Sequence, residues 1–258
     1  METDRRADDV LGRLRSLPGY VGWIVLDADG REQGEWNAGE QFPLACAAKL
    51  AIGAAIAAKV ETRELTWDER ISDLVFDPRE DSHVLYPHLQ GQRQYTLRRT
   101  VEVMIACHDQ SCANAIANRV GGWRDLSHSI LLLYPAIHVD SEPRNESRNS
   151  GRLDAMVGLV QRAITGFQTN SELWEPVVAG LVRQADKTAG IPSYRQWNMT
   201  GGLPHALIDV GLIGDIASGE YLLYGMAAKD LPDRTASAVT DQSLADVLRE
   251  LYRCLGRD

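Results

Sequence analysis

Apolar and polar positions along the chain mark out strands at both ends and helices between them. Gly19 to Leu26 is an apolar run that reads as a buried strand. Asp27-Ala28-Asp29-Gly30 supplies turn residues, and Arg31 to Asn37 reads as a second strand, so the pair predicts a hairpin. Residues 7–16 ahead of it read as a short amphipathic helix. Pro43 opens an Ala-rich run to about Lys59. Ala and Leu favour helix and Pro suits a helix start, so this run predicts a buried helix. Residues 61–96 are polar and irregular, with Pro78, Pro87 and Gly91 as breakers.

Leu97, Val101, Met104 and Ile105 recur with helical period, and Cys107-His108-Asp109-Gln110 interrupts them. Ser111 is placed to cap a further helix through Asn118, stopped by Gly121-Gly122. A polar loop spans 134–150, and helical patterns return over 151–166 and 172–184. After a loop at Gly190–Ser193, strands are predicted at 196–200, His205–Ile213 and Tyr221–Ala227, and residues 240–255 form a closing amphipathic helix.

Antiparallel strands at both ends of a chain belong to one sheet, with the helical middle beside it. The predicted fold class is therefore α/β (α+β), an antiparallel sheet flanked by helices plus an all-helical lobe. One domain, 1–258, divides into an α/β lobe from about 1–45 and 190–258 and a helical lobe at about 46–189. Sites commonly form between two such lobes.

Composition narrows the function classes. The net charge of −9 argues against a nucleic-acid surface. The start, Met1-Glu2-Thr3-Asp4-Arg5-Arg6, is charged and unlike a signal peptide, and no run reaches transmembrane length. The expectation is a cytoplasmic protein with free thiols and no membrane partner. Cys46, Cys107, Cys112 and Cys254 match no disulfide framework or standard zinc spacing. Cys107-His108 and Cys112 lack a fourth ligand, so no metal and no cofactor are expected.

The chemistry concentrates at Cys46, near the start of the Ala-rich helix, with Lys49 one turn later on the same side. A thiol at a helix N-terminus beside a cation is placed to lose its proton. A small buried Cys beside a chance Lys is the competing reading.

Phe42-Pro43-Leu44-Ala45-Cys46-Ala47-Ala48-Lys49 resembles the F-P-x-x-S-x-x-K motif of the serine β-lactamase and penicillin-binding-protein superfamily, class A β-lactamases most of all. Cys46 stands where the family has its nucleophilic Ser. Leu65-Thr66-Trp67-Asp68-Glu69 is similar to the family's L-x-x-D-E. Met104 to Asn114 resembles M-I-x-x-S-D-N-x-A-x-N, with His108 for Ser and Gln110 for Asn. Met199-Thr200-Gly201-Gly202 resembles K-T-G-[TSA], with Met199 for Lys, and Asp209 with its strand also matches. Lys187-Thr188-Ala189 lies too early to be that motif.

The resemblance implies a β-lactamase/transpeptidase-like fold whose three motifs line one cleft. His108 would sit beside Cys46 and Lys49, and a Cys beside a His is a nucleophile–base pair. The imidazole would hold the thiolate as an ion pair and then protonate a leaving group. Lys49 would be a second base or a charge that lowers the thiol pKa. The oxyanion hole would be the backbone N–H groups of Cys46 and Gly202. Gln110, Met199, Thr200 and Gly201 would contact substrate, and Asp109 would hold its loop. Met199 removes the cation that faces the carboxylate of β-lactams, which implies weak or no β-lactamase activity. Arg195 reads as solvated, and His205 is a candidate substrate contact.

Glu142 falls where class A enzymes carry the Glu that activates the deacylating water, and is a candidate base. A site without that base favours acyl transfer or cyclisation over hydrolysis. The resulting expectation is an acyl-transfer enzyme (hydrolase, transacylase or cyclase) acting through a Cys46 acyl-enzyme. Its partner would be a small-molecule or carrier-bound acyl substrate carrying an amide, ester or thioester. The alternatives are a non-catalytic binding or regulatory protein on this fold, and a true β-lactamase with an altered nucleophile.

Overall fold

The computed structural model describes residues 10–141 and 148–256. A helical turn over Val10–Ser16 leads into strands β1 (Tyr20–Asp27), β2 (Glu32–Trp36) and β3 (Gln41–Pro43). A 3₁₀ turn (Ala45–Ala48) precedes helix α1 (Lys49–Glu61). Strand β4 (Arg70–Ser72), short helix α2 (Ser82–Leu85) and strand β5 (Gln94–Thr96) follow. The middle continues with α3 (Leu97–Ala106), α4 (Gln110–Arg119), α5 (Trp123–Leu133), β6 (Ile137–His138) and β7 (Ser150–Arg152). Helices α6 (Leu153–Thr169) and α7 (Ser171–Arg183) come next. Strands β8 (Gln196–Leu203), β9 (Ala206–Asp215) and β10 (Glu220–Lys229) and helix α8 (Val239–Cys254) close the chain.

The five long strands form one antiparallel sheet in the order β2-β1-β10-β9-β8, so the two ends of the chain do share a sheet. Alternation along the strands divides the core in two. Met199, Ile208, Val210, Leu223 and Ala227 face the helical layer. Tyr224, Met226 and Ala228 face α8, which returns Leu244, Val247, Leu248 and Leu251. Polar residues on the outer side of α8 complete its amphipathic pattern.

Helix α1 is different: residues 49 to 57 are all buried. A helix apolar all round belongs inside a core, and its small Ala and Gly side chains let neighbouring helices close in. A Cβ on Gly53 would lie 2.8 Å from Ile105 Cδ1.

Several local features depart from the sequence pattern. Cys46 lies in the 3₁₀ turn ahead of α1, and α1 itself begins at Lys49. Asp109, not Ser111, caps α4: its Oδ1 accepts the Cys112 N–H at 2.8 Å. Gly121-Gly122 is a two-residue joint with positive φ at both positions, and α5 starts immediately after it. Only Leu126 and Ile130 of α5 are buried, too sparse a stripe to have marked a helix. Two small sheets accompany the helices, β4 with β5 and β3-β7-β6. Among the described residues, no helix is long and apolar enough to cross a membrane.

Close packing of α3 against α7 rests on Gly180, where an added Cβ would lie 2.6 Å from Ile105 Cβ and 3.1 Å from the Glu102 carbonyl. Gly180→Ala should therefore destabilise the fold by about 1–3 kcal/mol, despite the better helix propensity of Ala. A lowered denaturant midpoint with an unchanged m-value would record it.

Candidate active site

The turn that carries Cys46 is held from three directions. The Ala47 N–H closes it on the Leu44 carbonyl at 2.8 Å. The Leu44 N–H donates to the Asn149 carbonyl at 2.9 Å, and Asn149 Nδ2 donates to the Ala45 carbonyl at 3.1 Å. Asn149 Oδ1 in turn accepts the Asp140 N–H at 2.9 Å. Ala45 has φ +45°, a left-handed conformation that is uncommon for a residue with a side chain. The bonds from Asn149 keep it there. Cys46 is half-buried and Lys49, in the first turn of α1, is buried.

Strand β8 closes the other side. A Cβ on Gly201 would lie 2.2 Å from the Leu44 carbonyl oxygen and 2.9 Å from the Ala47 nitrogen. Only Gly lets the edge strand come this near the turn.

His108 occupies the joint between α3 and α4, also with positive φ (+56°). Asp109 beside it is fully buried and accepts two backbone N–H groups, from Asp77 at 2.9 Å and Cys112 at 2.8 Å. Its carboxylate thus holds the loop. The His108 ring extends to β8 and to the segment after α7. Its Nε2 meets Gln184 Nε2, lies 3.4 Å from Thr200 Oγ1 and lies 3.9 Å from Asp186 Oδ2. The second and third motifs are therefore in contact through His108 and Thr200. Gly201 then links the third motif to the Cys46 turn. Lys49 is close enough to Cys112, at the start of α4, for its charge to act on that thiol. Gln110 is half-buried, with Nε2 3.5 Å from Asn114 Oδ1.

Behind Thr200, a polar cluster supports β8. Lys187 Nζ donates to the carbonyls of Leu181 (2.9 Å) and Gln196 (2.7 Å) and to Asn198 Oδ1 (2.9 Å). Asp209 Oδ1 accepts from Asn198 Nδ2 at 3.2 Å and from the Tyr224 hydroxyl at 3.0 Å. Burial pushes the Lys187 ammonium down to about 8 and the Asp209 carboxyl up to about 6. A cavity of about 440 Å³ runs from Asp186, Thr200 and Gly202 past this pair to Arg234 and α8. Arg234 is fully engaged, by the carbonyls of Leu203 and Ala206 at 2.9 Å each and by Asp241.

Not every predicted site residue lies in this cleft. Met199 is fully buried in the helical-side core. Its side chain is packing rather than substrate surface, because alternation along β8 turns it away from Thr200. Arg195 is not simply solvated: its guanidinium pairs with Asp215 at 2.5 Å. His205 Nδ1 lies 2.9 Å from the Leu231 carbonyl. Burial pushes the Cys107 thiol up to about 12 and also raises Cys112 well above the usual thiol range. Glu142 lies outside the described residues. Among the described residues, no group of three or more His, Cys, Asp or Glu could hold a metal ion.

Gln184, Asp186 and Asn149 escaped sequence reasoning. Gln184 and Asp186 sit just before Lys187-Thr188-Ala189, in a stretch with no motif of its own. Asn149 lies in a loop rich in similar polar residues, where one Asn carries no signal.

Residues 4–251 match the Beta-lactamase enzyme family, and the chain belongs to it. The fold is that of β-lactamases and transpeptidases. A mutant of PBP-A, solved as an acyl-enzyme complex with penicillin G, superposes with a TM-score of 0.78 at 20% identity, covering 98% of this chain and 96% of that one. A β-lactamase from Xanthomonas campestris gives 0.78 at 17% identity, covering 98% and 99%. An ancestral class A β-lactamase gives 0.73 at 22% identity, covering 96% and 99%. No curated protein matches.

The Asp209 carboxyl sets a pH test. In the unfolded chain it titrates at its ordinary 3.8 and in the folded protein at about 6, so the folded state binds the extra proton between these values. Stability should therefore fall as pH rises from about 4 to 6. Asp209→Asn should flatten that slope, as read from denaturation midpoints across the interval.

Proposed function

We propose that this protein is a cytoplasmic acyl-transfer enzyme that works through a thioester on Cys46, with Lys49 and His108 managing protons. One observation carries the reading. The Cys46 turn, the Gly201 backbone, the Thr200 hydroxyl and the His108 ring form a continuous set of contacts. Four free thiols suit a reducing compartment.

In this reading the Cys46 thiolate attacks the carbonyl of an amide, ester or thioester. The N–H groups of Cys46 and Gly202 receive the oxyanion, each contributing roughly 3–4 kcal/mol at the transition state. The bond to the leaving group breaks, the leaving group takes a proton from the Lys49–His108 pair, and the acyl group stays on sulfur. Water or an amine then attacks and gives a proton back to that pair: a new bond forms to the acyl carbon, the C–S bond breaks, and the Cys46 thiolate returns.

The cavity behind Thr200 gives room for an acceptor. Its Lys187 and Arg234 cations are spent on protein oxygens, whereas the Asp186 side chain is 67% exposed. An acceptor bearing a protonated amine suits that balance of charge. Penicillin G acylates the PBP-A relative. Here the residue in place of the family's cation, Met199, is buried and turned away from Thr200, so the third motif offers a β-lactam carboxylate no charge.

Two measurements test this. Iodoacetamide should alkylate Cys46 well below the ordinary thiol value of about 8.5, and His108→Ala should slow the labelling, with the site located by mass spectrometry. Slow labelling of an accessible Cys46 that ignores His108 would favour a non-catalytic binding protein. With acyl thioesters as donors, added amines should raise product formation above hydrolysis. Fast nitrocefin turnover instead would identify a β-lactamase.

A further inference from the structure

Gln184 ends α7 and is 2% exposed. Its Oε1 accepts the backbone N–H of Asp186 at 2.7 Å. A backbone N–H only donates, so the oxygen end of this amide is fixed, and the NH₂ end points the other way. One of its hydrogens faces Thr200 Oγ1 at 3.3 Å, and the other faces His108 Nε2. The Thr200 hydroxyl spends its own proton on Asp186 Oδ2 at 3.1 Å. Each donor in this chain is therefore assigned. A ring nitrogen that faces an N–H donor presents a lone pair.

We infer that Gln184 is a positioning residue that holds His108 as the neutral tautomer, with its proton on Nδ1 and a lone pair on Nε2. An imidazolium would set N–H against N–H at this contact, the donor conflict that buried polar networks avoid. The expectation of a thiolate–imidazolium pair changes accordingly. In that tautomer the His108 N–H sits on the buried Nδ1, and the ring does not serve as the counter-ion. The positive charge for the thiolate falls to Lys49, buried in the next turn from Cys46. The division of roles rests on the proposed acyl-transfer reading; the tautomer does not.

The tautomer is directly observable in full-length protein labelled with ¹⁵N-histidine. Long-range ¹H–¹⁵N correlation spectra at neutral pH, with His108 assigned through His108→Gln, should show an unprotonated Nε2 and a protonated Nδ1. Gln184→Glu replaces the donor with an acceptor and should move a proton onto Nε2. Gln184→Leu removes the donor at similar volume and should leave a mixture of tautomers. A wild-type spectrum with protonated Nε2 overturns the inference, as does an unchanged tautomer in a folded Gln184→Glu protein. Should Gln184→Glu not fold, the wild-type and Gln184→Leu spectra still decide. Wild-type Cys46 alkylation separates the two ideas. Slow labelling with the stated tautomer sinks the acyl-transfer reading alone. Fast labelling with protonated Nε2 sinks the tautomer alone.

Discussion

The close approach of β8 to the turn around Cys46 is the constraint on which the site depends. Gly201 lies against Leu44 and Ala47 with no space for a side chain. That contact locks the edge of the sheet to the entrance of the central helix. It joins two segments about 150 residues apart in sequence. Thr200, one residue earlier, reaches His108 because the same contact sets the height of the strand. A packing restriction thereby becomes a chemical one. The segments that carry Cys46, Thr200 and His108 are placed by backbone contacts rather than by flexible side chains, which is the form preorganisation takes in a site.

The polar groups around this contact are supported in two layers. Asp109 and Asn149 hold backbone, so the loops that carry His108 and Cys46 keep their left-handed residues. Lys187, Asn198, Asp209 and Tyr224 support β8 from behind. The two charges in that second layer are displaced toward neutrality by burial, one upward and one downward. Both are held by protein groups, and Asp186 is the exposed charge beside Thr200 and His108.

Much of the fold was legible because strong periodicity and order of motifs survive the low identity to known structures. The apolar run at Gly19–Leu26, the Ala-rich helix and the terminal strands each have a pattern that packing reinforces. The short pieces were not legible. Strands β4, β5, β6 and β7 have two or three residues each, and no period can be read from so few. Helix α5 was hidden because it buries little. For the site, the motifs picked out Cys46, Lys49, His108 and Thr200 as candidates, and the structure adds the contacts among their segments. Met199 was misjudged because a motif names a residue without saying which face of a strand it takes. Gln184 and Asp186 were invisible because their importance lies in which hydrogen goes where, and sequence carries no direction for a hydrogen bond.

Asn149 has a further consequence. Its side chain ties Asp140 to the Cys46 turn, and its backbone carbonyl ties Leu44. Asp140 and the Cys46 turn, far apart in sequence, are thus clasped by one amide side chain. A change at Asn149 would reach the turn around the thiol without touching the thiol itself, so the conformation at Cys46 can be altered from a position that lies in none of the motifs.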